Sequence, residues 1–155
     1  MQVNGRKRHI LVDTQGLVLK AKVLPANIAD RDGGQVLLTG IQYQFPCICH
    51  LWVDIGYRGR FVAWVKDTLY WTVEVSRHWW QGIHGVWVGP GQEAPTYPVG
   101  FQVLKWRWIV ERTLAWLNFN RRLSKDFELL PETSQTWIYI SMSRLMLRRL
   151  AITNT

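Results

Sequence analysis

Cys47-Ile48-Cys49-His50-Leu51-Trp52-Val53 is an apolar run that stops at Asp54 and continues into Ile55-Gly56-Tyr57-Arg58-Gly59. Such a run reads as a strand buried on both faces, with a carboxylate at its carboxyl end. Immediately downstream, Phe61, Trp64, Val65, Thr68 and Leu69 fall at i, i+3, i+4, i+7 and i+8, the stripe of an amphipathic helix. Trp71-Thr72-Val73-Glu74-Val75 reads as the next strand. Upstream, Asp30-Arg31-Asp32 precedes Val36, Leu37, Leu38 and Ile41, the spacing of a short helix capped by an Asp. Before it, residues 9–12 and 17–23 are β-prone and separated by Asp13-Thr14-Gln15-Gly16, which predicts a hairpin. The order β, β, α, β, α, β over residues 9–75 predicts an α/β sheet that begins antiparallel and continues through crossover helices.

Residues 76–103 carry Gly82, Gly85, Gly89, Pro90, Gly91, Pro95, Pro98 and Gly100 and read as an irregular insertion. Residues 104–150 read as helical. Trp106, Ile109, Val110, Thr113, Leu114 and Leu117 make one apolar stripe, with Arg107, Glu111 and Asn118 along a neighbouring line. Pro131-Glu132-Thr133-Ser134 opens a second helix, whose stripe is Ile138, Ser141, Met142, Leu145 and Leu150. Cys47 and Cys49, two apart in a strand, point to opposite faces, which suits neither a disulfide nor a zinc pair; both read as reduced filler.

The chain has 155 residues, 48% of them hydrophobic, which suits one folded domain and excludes a disordered polycation. No apolar run approaches the ~20 residues of a membrane span. Asp13 and Lys20 interrupt the stretch that follows Arg6-Lys7-Arg8, so no secretory signal is read and the expected compartment is the cytoplasm. Ten tryptophans favour thick aromatic packing or stacking surfaces. The formal charge is +8, made of +4 over residues 1–31, −1 over residues 32–102 and +5 over residues 103–155. The basic clusters Arg6-Lys7-Arg8, Arg121-Arg122-Lys125 and Arg144-Arg148-Arg149 have the footprint of a phosphate-backbone binder; the alternative is a solvated basic face.

Asp54 is the leading candidate for chemistry, because ligands of open α/β sheets gather at the carboxyl ends of strands; its other reading is an N-cap for the helix that follows. Glu111, between Arg107 and Arg112, is the second, its other reading being a surface ion-pair partner. Carboxylates gathered among Arg and Lys make a hard oxygen site for Mg²⁺ or Mn²⁺, suited to phosphodiester chemistry. His9, His50, His78 and His84 show no ligand spacing, and no phosphate-cradling glycine loop or nucleophile elbow is found.

Several long motifs then carry a resemblance that covers nearly the whole chain. Residues 5–16, Trp52-Val53-Asp54-Ile55-Gly56-Tyr57-Arg58-Gly59, and Trp108-Ile109-Val110-Glu111-Arg112-Thr113-Leu114-Ala115-Trp116-Leu117 resemble the IS5-type insertion-sequence transposases of the IS4/IS5 superfamily. So do Arg121-Arg122-Leu123-Ser124-Lys125-Asp126-Phe127-Glu128, Leu130-Pro131-Glu132-Thr133-Ser134 and residues 144–150. The resemblance implies a ribonuclease-H-like α/β fold, a mixed sheet flanked by helices, with an Asp-Asp-Glu triad holding Mg²⁺ or Mn²⁺. It implies cleavage of transposon ends and strand transfer into target DNA, with double-stranded DNA as partner and a homodimer as the active complex, nucleoid-associated in the cytoplasm. Carried over by position, Asp54 resembles the second Asp and Glu111 the Glu, both metal ligands, and Arg107 matches the Arg of the motif around that Glu. Arg58, Arg60, Arg107, Arg112, Arg121, Arg122 and Lys125 are the expected DNA contacts. The lysine usual seven residues beyond the Glu is replaced by Asn118.

The first Asp of the triad belongs to a strand ahead of the hairpin. Asp13 reads as a turn residue instead. The sequence therefore reads as a partial catalytic domain lacking its first strand, completed by an upstream transposase segment or decayed to a non-catalytic basic DNA-binding remnant. A single-strand binder that stacks bases on tryptophans is the third reading.

Overall fold

In the computed structural model of the chain, residues 5–76 and 106–153 are described. The expected irregular insertion, with Trp79, Trp80 and Trp87, lies outside the described residues. Strands β1 (Arg6–Val12) and β2 (Val18–Pro25) form an antiparallel hairpin. Its turn is held by Asp13, whose Oδ1 accepts the backbone N–H of Gln15 at 2.9 Å and of Leu17 at 2.8 Å. Gly16 sits there at φ +82°, a conformation open to glycine at little cost.

Helix α1 (Asp30–Leu38) follows, then the single-turn α2 (Ile41–Gln44). The sequence expectation needs two corrections here. Ala29 is the N-cap and makes no side-chain cap bond, so Asp30 is the first helical residue; it faces Lys7, 3.0 Å away, instead of the helix amides. Thr39 and Gly40 also break the helix before Ile41, because Thr39 Oγ1 donates to the Gln35 carbonyl and Gly40 takes φ +73°.

Strand β3 (His50–Asp54) runs into a 3-10 turn (Ile55–Tyr57), helix α3 (Arg60–Leu69) and strand β4 (Thr72–Ser76), which lies parallel to β3 in the order expected of a right-handed crossover unit. β3 starts later than its apolar run. Pro46 turns the chain, so Cys47 and Cys49 are free, exposed loop residues and not filler in a buried strand. Of β3 only Leu51 is fully buried. The two ladders, β1–β2 and β3–β4, are separate among the described residues, where the sequence pattern predicted one continuous mixed sheet.

Helix α4 (Arg107–Asn118), the short α5 (Arg121–Ser124) and the long α6 (Pro131–Thr153) complete the chain. The hairpin separates two cores. Leu11 joins Leu37, Leu38, Ile41, Leu51, Phe61, Val65, Leu69 and Trp71 on one side. Ala21 and Val23 join Leu117, Leu123, Ile138 and Met142 on the other, with Ile10 beside them. Strand alternation produces this division on β1, Ile10 and Leu11 pointing to opposite faces. Helix α6 also closes the outer edge of β2: the amide of Ala21 donates to the Tyr139 hydroxyl at 2.9 Å and that of Val23 to Gln135 Oε1 at 3.1 Å. Leu150, read as part of the α6 stripe, is exposed because the buried contacts of α6 come from its first half.

Candidate active site

Asp54 stands where β3 gives way to the 3-10 turn and caps that turn; α3 beyond it has Gly59 as its N-cap, which corrects the reading of Asp54 as the cap of the helix that follows. Its Oδ1 accepts the amide of Ile55 at 2.8 Å, capping the turn, while the residue stays exposed to solvent. The turn is fixed from below. Tyr57 directs its hydroxyl to His9 Nδ1 at 3.0 Å, and its ring packs on Phe61 at 5.2 Å between centroids. Burial and the carboxylates of Asp30 and Asp54 push the Tyr57 phenol up to about 12, so it keeps its proton. Burial lowers the pKa of His9, and the ring is neutral at pH 7.

Two glycines of α1 make this approach possible. A Cβ on Gly33 would collide with the His9 ring, and one on Gly34 would stand 2.6 Å from Phe61 and 2.9 Å from Tyr57. Helix α1 thus carries two poor helix formers, each costing about 1 kcal/mol against alanine, at the points where the hairpin and the Asp54 turn come closest.

Glu111 lies on α4, exposed, between two anchors of that helix. At the amino end, α4 packs against β3, where the rings of Trp52 and Trp106 are 5.0 Å apart. Trp106 takes φ +69° there, a costly conformation for an aromatic residue that needs its surroundings to hold it. In the middle, Thr113 Oγ1 donates to the Gly16 carbonyl at 2.7 Å, and a Cβ on Gly16 would lie 2.7 Å from that same oxygen. The element carrying Glu111 therefore rests on the strand that ends in Asp54 and on the hairpin turn. Asp13, with both turn amides on its carboxylate, behaves as the turn residue it was read to be.

The cations divide into two groups. Arg6 donates to the carbonyls of Glu128 and Leu129, Lys7 pairs with Asp30, and Arg8 donates to the Leu123 carbonyl. The cluster Arg6-Lys7-Arg8 is thus engaged by the protein's own carbonyls and carboxylate, contrary to its reading as a phosphate footprint. Arg112 is also held internally: its guanidinium lies 4.3 Å from the Trp108 ring and 4.7 Å from that of Trp116, and it donates to the Gln15 carbonyl. Arg149 covers Trp116 at 4.7 Å, extending the stack.

Arg58, Arg121 and Lys125 are exposed. Arg60 faces Asp32 at 3.6 Å and Arg122 faces Glu128 at 3.2 Å, both arginines mostly in solvent. Arg107 opens α4 one turn before Glu111. Spacing assigned His9 no role; its bond to Tyr57 spans 48 residues and leaves no local pattern to read.

Among the described residues no three His, Cys, Asp or Glu side chains gather closely enough to hold a metal ion. Asp54 and Glu111 are each hard carboxylates open to water, the donor type that suits Mg²⁺ or Mn²⁺, which bind through one or two carboxylates, waters and substrate phosphates. No helix among the described residues is long and apolar enough to cross a membrane. Compared with known proteins, residues 51–148 match the family described as the transposase DDE domain. No curated protein and no solved structure matches the chain. The matched segment starts inside β3, takes in Asp54 and Glu111 and ends on α6; the chain belongs to the transposase DDE domain family.

Proposed function

We propose that this chain is the catalytic domain of an IS5-type DDE transposase of ribonuclease-H-like fold, with Asp54 and Glu111 as its metal-binding carboxylates. One observation carries the reading: the two acids are solvent-exposed on β3 and α4, elements that pack together inside the segment matching the family. When bound, Mg²⁺ or Mn²⁺ supplies the polarisation of the scissile phosphate and the activation of the attacking oxygen.

The protein's own part is placement. The Tyr57–His9 bond and the Ile55 amide fix the backbone and one oxygen of Asp54, so the carboxylate would hold the metal ion without reorganising. Arg107, on the face of Glu111, donates to a phosphate next to the scissile one. Arg58, Arg60, Arg121, Arg122 and Lys125 hold the DNA backbone, while Arg112 keeps α4 in place from within its stack. Asn118 provides a neutral donor where the family has a cation.

The third carboxylate comes on a strand from outside the described residues. Neither β1 nor β3 pairs with a second strand among those residues, and Leu11 of β1 and Leu51 of β3 enter the same core, so an added strand there extends both ladders. The active complex is a homodimer on two transposon ends. An Mg²⁺- or Mn²⁺-dependent nicking assay on transposon-end DNA, with the upstream strand supplied, tests the proposal. Asp54→Ala and Glu111→Ala are each expected to abolish nicking while duplex binding persists. Nicking untouched by both substitutions overturns the assignment, and salt-dependent binding without nicking in the unaltered chain returns it to a non-catalytic DNA-binding remnant.

A further inference from the structure

Residues 125–129 leave α5 in an extended path, with Lys125 at φ −136° and ψ 144°. Their side chains alternate. Asp126 and Glu128 turn inward: Asp126 Oδ1 accepts the Ser134 hydroxyl at 2.6 Å and the Glu128 amide at 3.2 Å, and Arg6 lies 3.6 Å away. Glu128 pairs with Arg122 at 3.2 Å, and the Glu128 and Leu129 carbonyls each accept a 2.7 Å bond from Arg6. Lys125, Phe127 and Leu129 turn outward, Phe127 at 84% exposure and Leu129 at 88%.

This is a strap fastened from inside at several points, which rules out local slackness as the reason two large apolar side chains stand in water. Residues held out in this way mark a contact surface. The surrounding charge selects the partner. Both acids of the strap are drawn inward beside arginines, so its outer face shows one cation and two apolar groups, next to the exposed Arg121. A polyanion with apolar steps between its charges fits that face, and duplex DNA has both.

We propose that Phe127 and Leu129 are wedges that enter the minor groove and unstack a base step, while Lys125 and Arg121 hold the flanking phosphates. Wedges of this kind kink a duplex by roughly 20–90°. The inference rests on the DNA-binding reading above and adds to it a deformation of the bound duplex.

The test uses the full chain and a short duplex carrying 2-aminopurine at a flexible pyrimidine–purine step, with anisotropy for affinity and 2-aminopurine fluorescence for unstacking. The unaltered chain is expected to raise the fluorescence. Phe127→Ala with Leu129→Ala is expected to remove that rise and weaken binding about tenfold, the size of one lost stacking contact. Its dependence on salt should be unchanged, because no phosphate contact is lost. Ser134→Ala, which loosens the strap but keeps both wedges, should reduce the rise partway. Equal affinity and equal fluorescence in the double variant overturn the wedge while DNA binding stands. Loss of a dimer in sedimentation, with no change in fluorescence, overturns it in favour of a protein interface. Failure of the unaltered chain to bind duplex at low salt sinks the DNA-binding reading itself.

Discussion

His9 is the residue on which the Asp54 turn depends, and it is 4% exposed with a neutral ring. Burial holds its folded pKa below the 6.5 of the free side chain, so the unfolded chain takes up the proton first as pH falls. Its contribution to stability is complete above 6.5 and is lost as pH drops from there through the folded value. Denaturant midpoints should therefore fall on acidification below 6.5, and His9→Gln should flatten this part of the profile. Tyr57→Phe should cost about 1–3 kcal/mol at neutral pH, since it leaves His9 Nδ1 buried without its partner. An unchanged midpoint for Tyr57→Phe would show that the bond does not hold the turn.

At the scale of elements, the outer edge of β2 is closed by two side chains of α6, Tyr139 and Gln135, in place of a strand. Tyr139→Phe and Gln135→Ala should each cost about 1 kcal/mol and speed hydrogen exchange at the Ala21 and Val23 amides specifically. Exchange accelerated uniformly along the hairpin would mean that α6 acts by packing alone. The hairpin, α3 and β4 were legible in the sequence because their signals are local: a turn set with glycine, a helical stripe, a β-branched run. Gly16 shows the limit of such signals. Its positive φ could be anticipated from the turn, but the approach of Thr113 from 97 residues away could not. The apolar run before Asp54 misled for a related reason, since composition cannot distinguish an exposed turn after Pro46 from the strand it leads into. Of the proposed site, Asp54 and Glu111 stand out by motif. The engagement of Arg6, Lys7 and Arg8 inside the fold was not legible, because a basic cluster looks the same whether its partners are phosphates or carbonyls.

For the whole molecule, the net charge of +8 overstates what is free to face DNA in the proposed complex, since Arg6, Lys7, Arg8 and Arg112 are bonded to the protein's own groups. Arg58, Arg60, Arg121, Arg122 and Lys125 remain as exposed cations of the proposed interface. With Arg107 they make six phosphate contacts, which give a slope of about −5.4 for the logarithm of the binding constant against that of salt on duplex DNA, and Lys125→Ala should make it shallower by about one. A slope near zero would remove the charged face from the binding reaction. The bonds from Arg6 to the Glu128 and Leu129 carbonyls have one more consequence, because they join residues 122 and 123 apart in the chain. Contacts of such separation close late in folding, after the entropy of the intervening loop has been overcome. On the ribosome, the hairpin emerges ahead of residues 128 and 129 and waits, with Arg6 unbonded, until those residues have been made. The apolar strap is thus fastened among the last parts of the fold, and a chain released before residue 134 would carry its basic hairpin without the clasp that arms it.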